Sequence, residues 1–236
     1  MELLFRFFED LRMLGPGDNQ ITKEIIQSLP LSYDPAILDI GSGKGRQTRI
    51  LAETCQNSRI IPTDVYIPYL QSIRDIPGAS PTCAAMESLP FTKETFDLIW
   101  SEGAIYIMGF SPAISAWKPL LKRDGYLAIS EICWHKANPP DNLRKFWEEE
   151  APGIASEEDR IRDAEKAGYT VIISRRLPMK AWEDYYRPVT TRIREWRERY
   201  NDAEINLFLE SMEKEVEIFR KYSSYYGYTF FILKKG

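Results

Sequence analysis

A single histidine, His135, in 236 residues leaves no room for a multi-histidine metal site, and any Ser-His-Asp triad would have to use that one ring. Cysteine is scarce as well. Cys55, Cys83 and Cys133 lie far apart with no CxxC pair, which argues against zinc and against a disulfide framework and suits a reducing, cytoplasmic setting. The nucleophile-elbow pattern G-x-S-x-G is absent. There is no excess of positive charge: 31 basic against 35 acidic side chains give a net charge of −4, so no nucleic-acid partner is expected. No apolar run approaches the ~20 residues of a membrane span. The opening MELLFRFFEDLRMLGPG carries acids inside its apolar stretch and reads neither as a signal peptide nor as a membrane anchor. Nothing in the sequence sets an oligomeric state.

What is present is an alternation of short apolar runs with amphipathic stretches, the mark of an α/β sheet covered by helices on both faces. The pattern predicts seven strands near 36–40, 59–63, 82–85, 96–101, 126–133, 170–175 and 228–233. Helices fit 46–55, 66–75, 112–121 and 157–167, the last stopped by Gly168. Leu3, Leu4, Phe7, Phe8 and Leu11 recur at helical spacing, predicting a helical cover within 1–35 that packs on the body or lids a substrate. After a core over 36–178, residues 179–224 interrupt the alternation with two amphipathic helices, the first expected to break or restart at Pro188. A final strand follows in 225–236, and the whole is expected to be one domain.

The sharpest chemical signal is Ile37-Leu38-Asp39-Ile40-Gly41-Ser42-Gly43-Lys44-Gly45-Arg46, a strand running through three alternating glycines into a helix. Such a loop lets a ligand touch bare backbone. Asp64 ends the next predicted strand, about twenty residues beyond the glycines, the offset of an acid that accepts from ribose hydroxyls. The alternative for Asp64 is a helix cap. Spacing G-x-G-x-G differs from the G-x-G-x-x-G of nicotinamide cofactors, and Lys44 has no Ser or Thr after it, as a P-loop would require.

With these residues the chain resembles the class I S-adenosylmethionine-dependent methyltransferases, and its ends, Gly15-Pro16-Gly17 and Tyr225-Tyr226-Gly227-Tyr228, resemble a type 11-like branch acting on small molecules. The resemblance implies a Rossmann-like, doubly wound sheet with its last strand antiparallel, and S-adenosyl-L-methionine as cofactor. It implies cofactor contacts at Asp39, Gly41, Ser42, Gly43 and Gly45, then at Asp64 and Val65. Met86, Glu87, Ser101 and Glu102 complete the set, from the Ala85–Phe91 and Phe96–Gly103 segments. Ala85 departs from the Asp or Ser of many relatives. Glu102 would bind the amino group of the cofactor, orient or deprotonate the acceptor as a catalytic residue, or cap a helix. Tyr106, Trp134, Tyr185, Tyr186 and Tyr226 are candidate acceptor-pocket residues, since aromatic faces attract cations. His135 follows the fifth predicted strand, where ligands gather in this architecture. Asn138-Pro139-Pro140-Asp141 resembles the opening of a DNA-methyltransferase motif but lies after the wrong strand and reads as a loop. Two other classes stay open: a nicotinamide-dependent Rossmann enzyme and a cofactor-binding regulator without catalysis.

Overall fold

Five consecutive buried residues, Ala36–Ile40, form the central strand β1 of a computed structural model that describes residues 2–236. A strand covered on both faces has no polar side to show, which is why it reads as an unbroken apolar run. On one side β1 pairs in parallel with β2 (Arg59–Asp64), and β2 with the two-residue β3 (Thr82–Cys83). On the other it pairs with β4 (Phe96–Glu102), and β4 with β5 (Leu121–Trp134). A two-residue strand, β6 (Ala155–Ser156), pairs with the end of β5. The last strand, β8 (Tyr226–Lys235), runs antiparallel between β5 and β7 (Tyr169–Arg176). The order is β3-β2-β1-β4-β5-β8-β7. This is the expected doubly wound sheet with eight strands in place of seven.

Alternation along the strands assigns the two faces. Ile37, Leu98, Trp100, Ala128, Ile132, Phe230 and Ile232 point to one face, Leu38, Ile99, Leu127, Ile129, Phe231 and Leu233 to the other. The second face is covered by α5 (Phe110–Trp117) and α7 (Glu157–Lys166), the latter opened by a Ser156–Asp159 capping box. The first face carries α1 (Glu2–Phe8), α2 (Asn19–Ser28), α3 (Arg46–Thr54) and α6 (Asp141–Glu150), together with α8 (Met179–Arg199) and α9 (Ala203–Tyr222). The helix expected over 66–75 contracts to α4 (Ile67–Gln71), and Ile73 and Ile76 from the turns that follow pack with Leu70 of the helix. Two helices, α2 and α6, escaped the sequence reading. Asp141 opens α6, so only 138–140 of the expected loop is loop. Among the described residues no helix is long and apolar enough to cross a membrane.

Pro188 does not break α8. Its ring is exposed, so the carbonyl of Asp184 that loses its partner faces water, while Tyr185, Val189, Ile193 and Trp196 bury one continuous stripe. Burial of four large side chains, each contributing about 1.5–3 kcal/mol, outweighs the ~3 kcal/mol cost of an interior proline. Pro188→Ala is therefore expected to stabilise the protein by about 1–2 kcal/mol, the helix gain less the lost stiffening of the unfolded chain. Urea denaturation measures it, and a destabilised variant would show that the proline sets a needed bend.

Candidate active site

At the carboxyl ends of β1, β2 and β4 the chain encloses a cavity of about 800 Å³. The glycine loop forms its floor. Gly41 has φ +68°, and a Cβ there would lie 2.6 Å from the Cβ of Ala104. Gly43 donates its N–H to Asp64 Oδ2 at 2.9 Å, while Asp64 Oδ1 accepts from the N–H of Tyr66 at 2.9 Å. Asp64 thus caps the turn into α4 and also lines the cavity. Val65 lines the cavity with an exposed side chain, beside Met86 and Glu87. Trp117 Nε1 donates to the Met86 carbonyl at 3.0 Å and holds that loop in place.

Glu102 ends β4 and is almost wholly buried. It ion-pairs with Arg46, and its Oε1 accepts from Thr22 Oγ1 at 2.8 Å and from Trp100 Nε1 at 2.9 Å. Three donors fix the position of this carboxylate. Arg46 also donates to Asn19 Oδ1 at 2.6 Å, tying α2 to the first turn of α3.

The N-terminal cover closes the cavity from above through Phe5, Phe8 and residues 12–16. Lys44 latches it by donating to the carbonyls of Phe8 at 2.7 Å and Leu11 at 2.8 Å and to that of Glu9. These carbonyls end α1 or follow it, where a helix leaves acceptors unmatched and a cation is favoured.

Of the cofactor candidates, Gly41, Ser42, Gly43, Asp64, Val65, Met86, Glu87 and Glu102 line the cavity. Asp39, Gly45 and Ser101 do not. Asp39 is fully buried beneath the loop, accepting from Thr48 Oγ1 at 2.5 Å and Gln47 Nε2 at 3.2 Å. Gly45 begins α3 with φ +76°, packed on Ile73. Ser101 points to the opposite face from Glu102, because neighbours in a strand alternate.

Of the acceptor candidates, Tyr106 and Tyr185 line the cavity. Trp134, Tyr186 and Tyr226 do not. Trp134 packs at the β5 end against the helical face, and Tyr226 is enclosed by Trp147 and Trp182. The Tyr186 hydroxyl instead donates to Glu215 Oε1 at 2.7 Å. His135 lies away from the cavity as well, at 3.1 Å from Thr229 Oγ1, and burial pulls its pKa down to about 4. Ala84 lines the cavity and Ala85 does not. Residues the sequence reading missed include Trp147, Glu150, Trp182, Met212, Glu215 and Tyr228, brought in by α6, α8, α9 and β8.

Residues 38–129 match the family model Methyltransf_11, described as a methyltransferase domain. Over these residues the chain is similar to methyltransferase domains. The stretch contains the glycine loop, Asp64, Met86 and Glu102. Malonyl-[acyl-carrier protein] O-methyltransferase of Salmonella typhimurium is 31% identical over 115 residues, 48% of this chain and 44% of that protein. The chain thus spans less than half the length of that relative. Two solved structures share the fold of this chain over its whole length. A S-adenosylmethionine-dependent methyltransferase from Geobacter sulfurreducens, in complex with S-adenosyl-L-homocysteine, has a TM-score of 0.84 at 16% identity and covers 100% of this chain and 98% of its own. YjhP from E. coli has a TM-score of 0.86 at 16% identity, with 100% of each chain covered.

Two buried carboxyls, Asp39 and Glu131, and the half-buried Glu215 bear on how stability depends on pH. Burial pushes Asp39, Glu131 and Glu215 each up to about 7 from ordinary values near 4. The Thr48 and Gln47 donors oppose the shift at Asp39, Arg160 at Glu131 and the Tyr186 hydroxyl at Glu215. A pKa raised by folding means that the folded state holds its proton more tightly than the unfolded chain. The stability it contributes is complete below the unfolded pKa and is lost as pH rises through the folded value. These groups are therefore expected to lower stability as pH rises from about 4.5 to about 7, by on the order of a few kcal/mol together. Thermal melts of the ligand-free protein between pH 5 and 8 check this. A midpoint that climbs over that interval would mean the three are ionised in the folded state.

Proposed function

We propose that this chain transfers the methyl group of S-adenosylmethionine to a small-molecule acceptor. The observation that carries the reading is the pairing of bare loop backbone with one carboxylate: Gly41 lies flat against Ala104, and Asp64 is fixed beside it by the N–H of Gly43. A carboxylate oriented by main-chain donors keeps free lone pairs for two vicinal hydroxyls, and a bare loop admits the nucleoside close by. The residues present therefore fit the group.

In this reading Asp64 accepts from the ribose, and Val65, Met86 and Glu87 surround the adenine. Gly41, Ser42 and Gly43 offer main chain. Glu102 and Arg46 present opposite charges to the ammonium and carboxylate of the amino-acid end. Asp39, Gly45 and Ser101 act from behind as positioning residues that hold the loop and the strand end. The segment 36–178 with the last strand forms the cofactor-binding core, and residues 1–35 and 179–224 roof it.

When bound, S-adenosylmethionine would supply an electrophilic methyl group to the acceptor's lone pair and would depart as S-adenosylhomocysteine. The protein's task is to hold donor and acceptor in line and to exclude water. The cover latched by Lys44 and the α8–α9 pair supply that enclosure. With three donors on it, Glu102 acts as a binding anion rather than a base. A carboxylate acceptor of the kind named for the Salmonella relative would meet Glu150 and Glu215 at the far end of the cavity.

Calorimetry with S-adenosylmethionine, S-adenosylhomocysteine and NAD tests the reading. Micromolar binding of the first two with none of NAD is expected, followed by release of S-adenosylhomocysteine when acceptor is supplied. Preference for NAD would overturn it.

A further inference from the structure

The charges around the cavity are segregated. Its three basic side chains, Arg12, Lys44 and Arg46, come from the N-terminal cover and the glycine-loop side. Lys44 is occupied by main-chain carbonyls, and Arg46 by Glu102 and Asn19. The far wall, built by α6, α8, α9, β8 and the turn after β4, contributes no Lys or Arg to the lining and two carboxylates, Glu150 and Glu215. The same wall carries the rings of Trp147, Trp182, Tyr185 and Tyr228, with Trp182 stacked on Tyr228 at 5.2 Å.

Glu215 is the unusual member. Its Oε1 accepts from Tyr186, while Oε2 hydrogen-bonds to no protein group among the described residues, and the carboxyl borders the cavity. The titratable groups around this carboxyl are Tyr185 and Tyr186 on α8, Glu150 on α6, Tyr226 and Tyr228 on β8 and Tyr106 after β4, and none is a cation. A half-buried carboxylate facing an enclosed cavity without a counter-charge is costly, so a site that retains one has a use for it. Aromatic faces around an anion are the surroundings in which an organic ammonium is most strongly held.

Resting on the methyl-transfer reading above, we propose that the acceptor is a small organic amine, entering as its ammonium and seated against Glu215 within this aromatic, anionic wall. Glu215 Oε2 accepts the hydrogen bond from the ammonium and then its proton. R–NH3+ and the carboxylate become R–NH2 and the carboxylic acid, and the nitrogen lone pair is left free to face the methyl donor. Burial, reinforced by Glu150 and opposed by the Tyr186 hydroxyl, places the Glu215 pKa at about 7, where a carboxyl can exchange that proton near neutrality. Phenolate and carboxylate acceptors would face two anions and no basic group on this wall.

The test separates shape from charge. Choline, its neutral isostere 3,3-dimethyl-1-butanol and the anion 3,3-dimethylbutanoate are titrated into protein saturated with S-adenosylhomocysteine. Choline is expected to bind at least tenfold more tightly than the neutral isostere, with no binding of the anion. Glu215→Gln should erase that preference while leaving the affinity for S-adenosylhomocysteine within twofold, which also shows that the variant is folded. Tyr186→Phe, which keeps the carboxylate, should retain the preference. With labelled donor, primary amines should be methylated in preference to phenols, carboxylates and thiols, and Glu215→Gln should lower kcat/KM for the amines at least tenfold. Equal binding of choline and its isostere, a preference that survives Glu215→Gln, or faster turnover of a phenol, carboxylate or thiol would overturn the proposal. So would a Glu215→Gln variant weakened only toward S-adenosylmethionine and not toward its demethylated product, because the carboxylate would then serve the sulfonium. If S-adenosylhomocysteine fails to bind, the methyl-transfer reading falls, and the three probes titrated alone still decide whether the wall selects a cation.

Discussion

Asp64→Ala is expected to raise the dissociation constant for S-adenosylhomocysteine by ten- to a hundred-fold, about 1.4–2.8 kcal/mol of binding free energy. Loss of charge-assisted bonds to two ribose hydroxyls accounts for most of that change. The remainder comes from the protein itself: Gly43 and Tyr66 lose the acceptor for their N–H groups, so the glycine loop is no longer pinned to the tip of β2. Leaving half-buried main-chain donors unmatched should also cost about 1–2 kcal/mol of stability. Asp64→Asn separates the two effects. It retains an acceptor for one main-chain N–H but offers the ribose a neutral group, so its affinity should fall about tenfold with little loss of stability. Calorimetry and urea denaturation on the same three proteins give both numbers, and an unaltered dissociation constant in the alanine variant would remove Asp64 from the ribose site.

Glu102→Ala should act more broadly. It strands Arg46, removes the acceptor for the Trp100 indole and frees Thr22, so the junction of β4, α2 and α3 loses its common anion. Breaking a pair whose members are 18% and 4% exposed is expected to cost about 2–4 kcal/mol, toward the lower end because Arg46 keeps some water. Donor affinity should fall at least a hundred-fold, since one half of the proposed amino-acid clamp is gone and the other half is unrestrained. Glu102→Gln keeps acceptor and shape but not charge. It should recover most of the stability and little of the affinity. Should the two variants match wild type in urea, the Arg46–Glu102 pair would be ornamental to the fold.

Much of this architecture was legible because burial on both faces removes polar residues from the strands. The runs 36–40, 59–63 and 96–101 match their strands to within a residue for that reason. β5 starts five residues earlier than its apolar run, since Lys122, Arg123 and Asp124 extend the strand beyond the covering helices, with Asp124 at φ +61° beside a register shift. α2 carried a readable signal in the Asp18 cap followed by Ile21, Ile25 and Ile26 at helical spacing. α6 did too, in Leu143, Phe146 and Trp147 after Pro139-Pro140. Pro188 misled because proline's local cost is visible in a sequence, whereas the tertiary packing that outweighs it is not.

The site divides along the same line. A glycine loop between strand and helix and an acid at the next strand tip are local features, set by turn geometry and chain spacing, so the sequence alone determined the proposed nucleoside end together with the fold that displays it. The opposite end is assembled from segments as distant as Trp147, Trp182, Glu215 and Tyr228, each lying in an ordinary amphipathic or strand pattern. Glu215 reads no differently from Glu213 or Glu217 in its helix. Only the packing of α9 against α8 and the sheet turns that one carboxylate inward, because which side of a helix becomes interior is decided by the surfaces it meets.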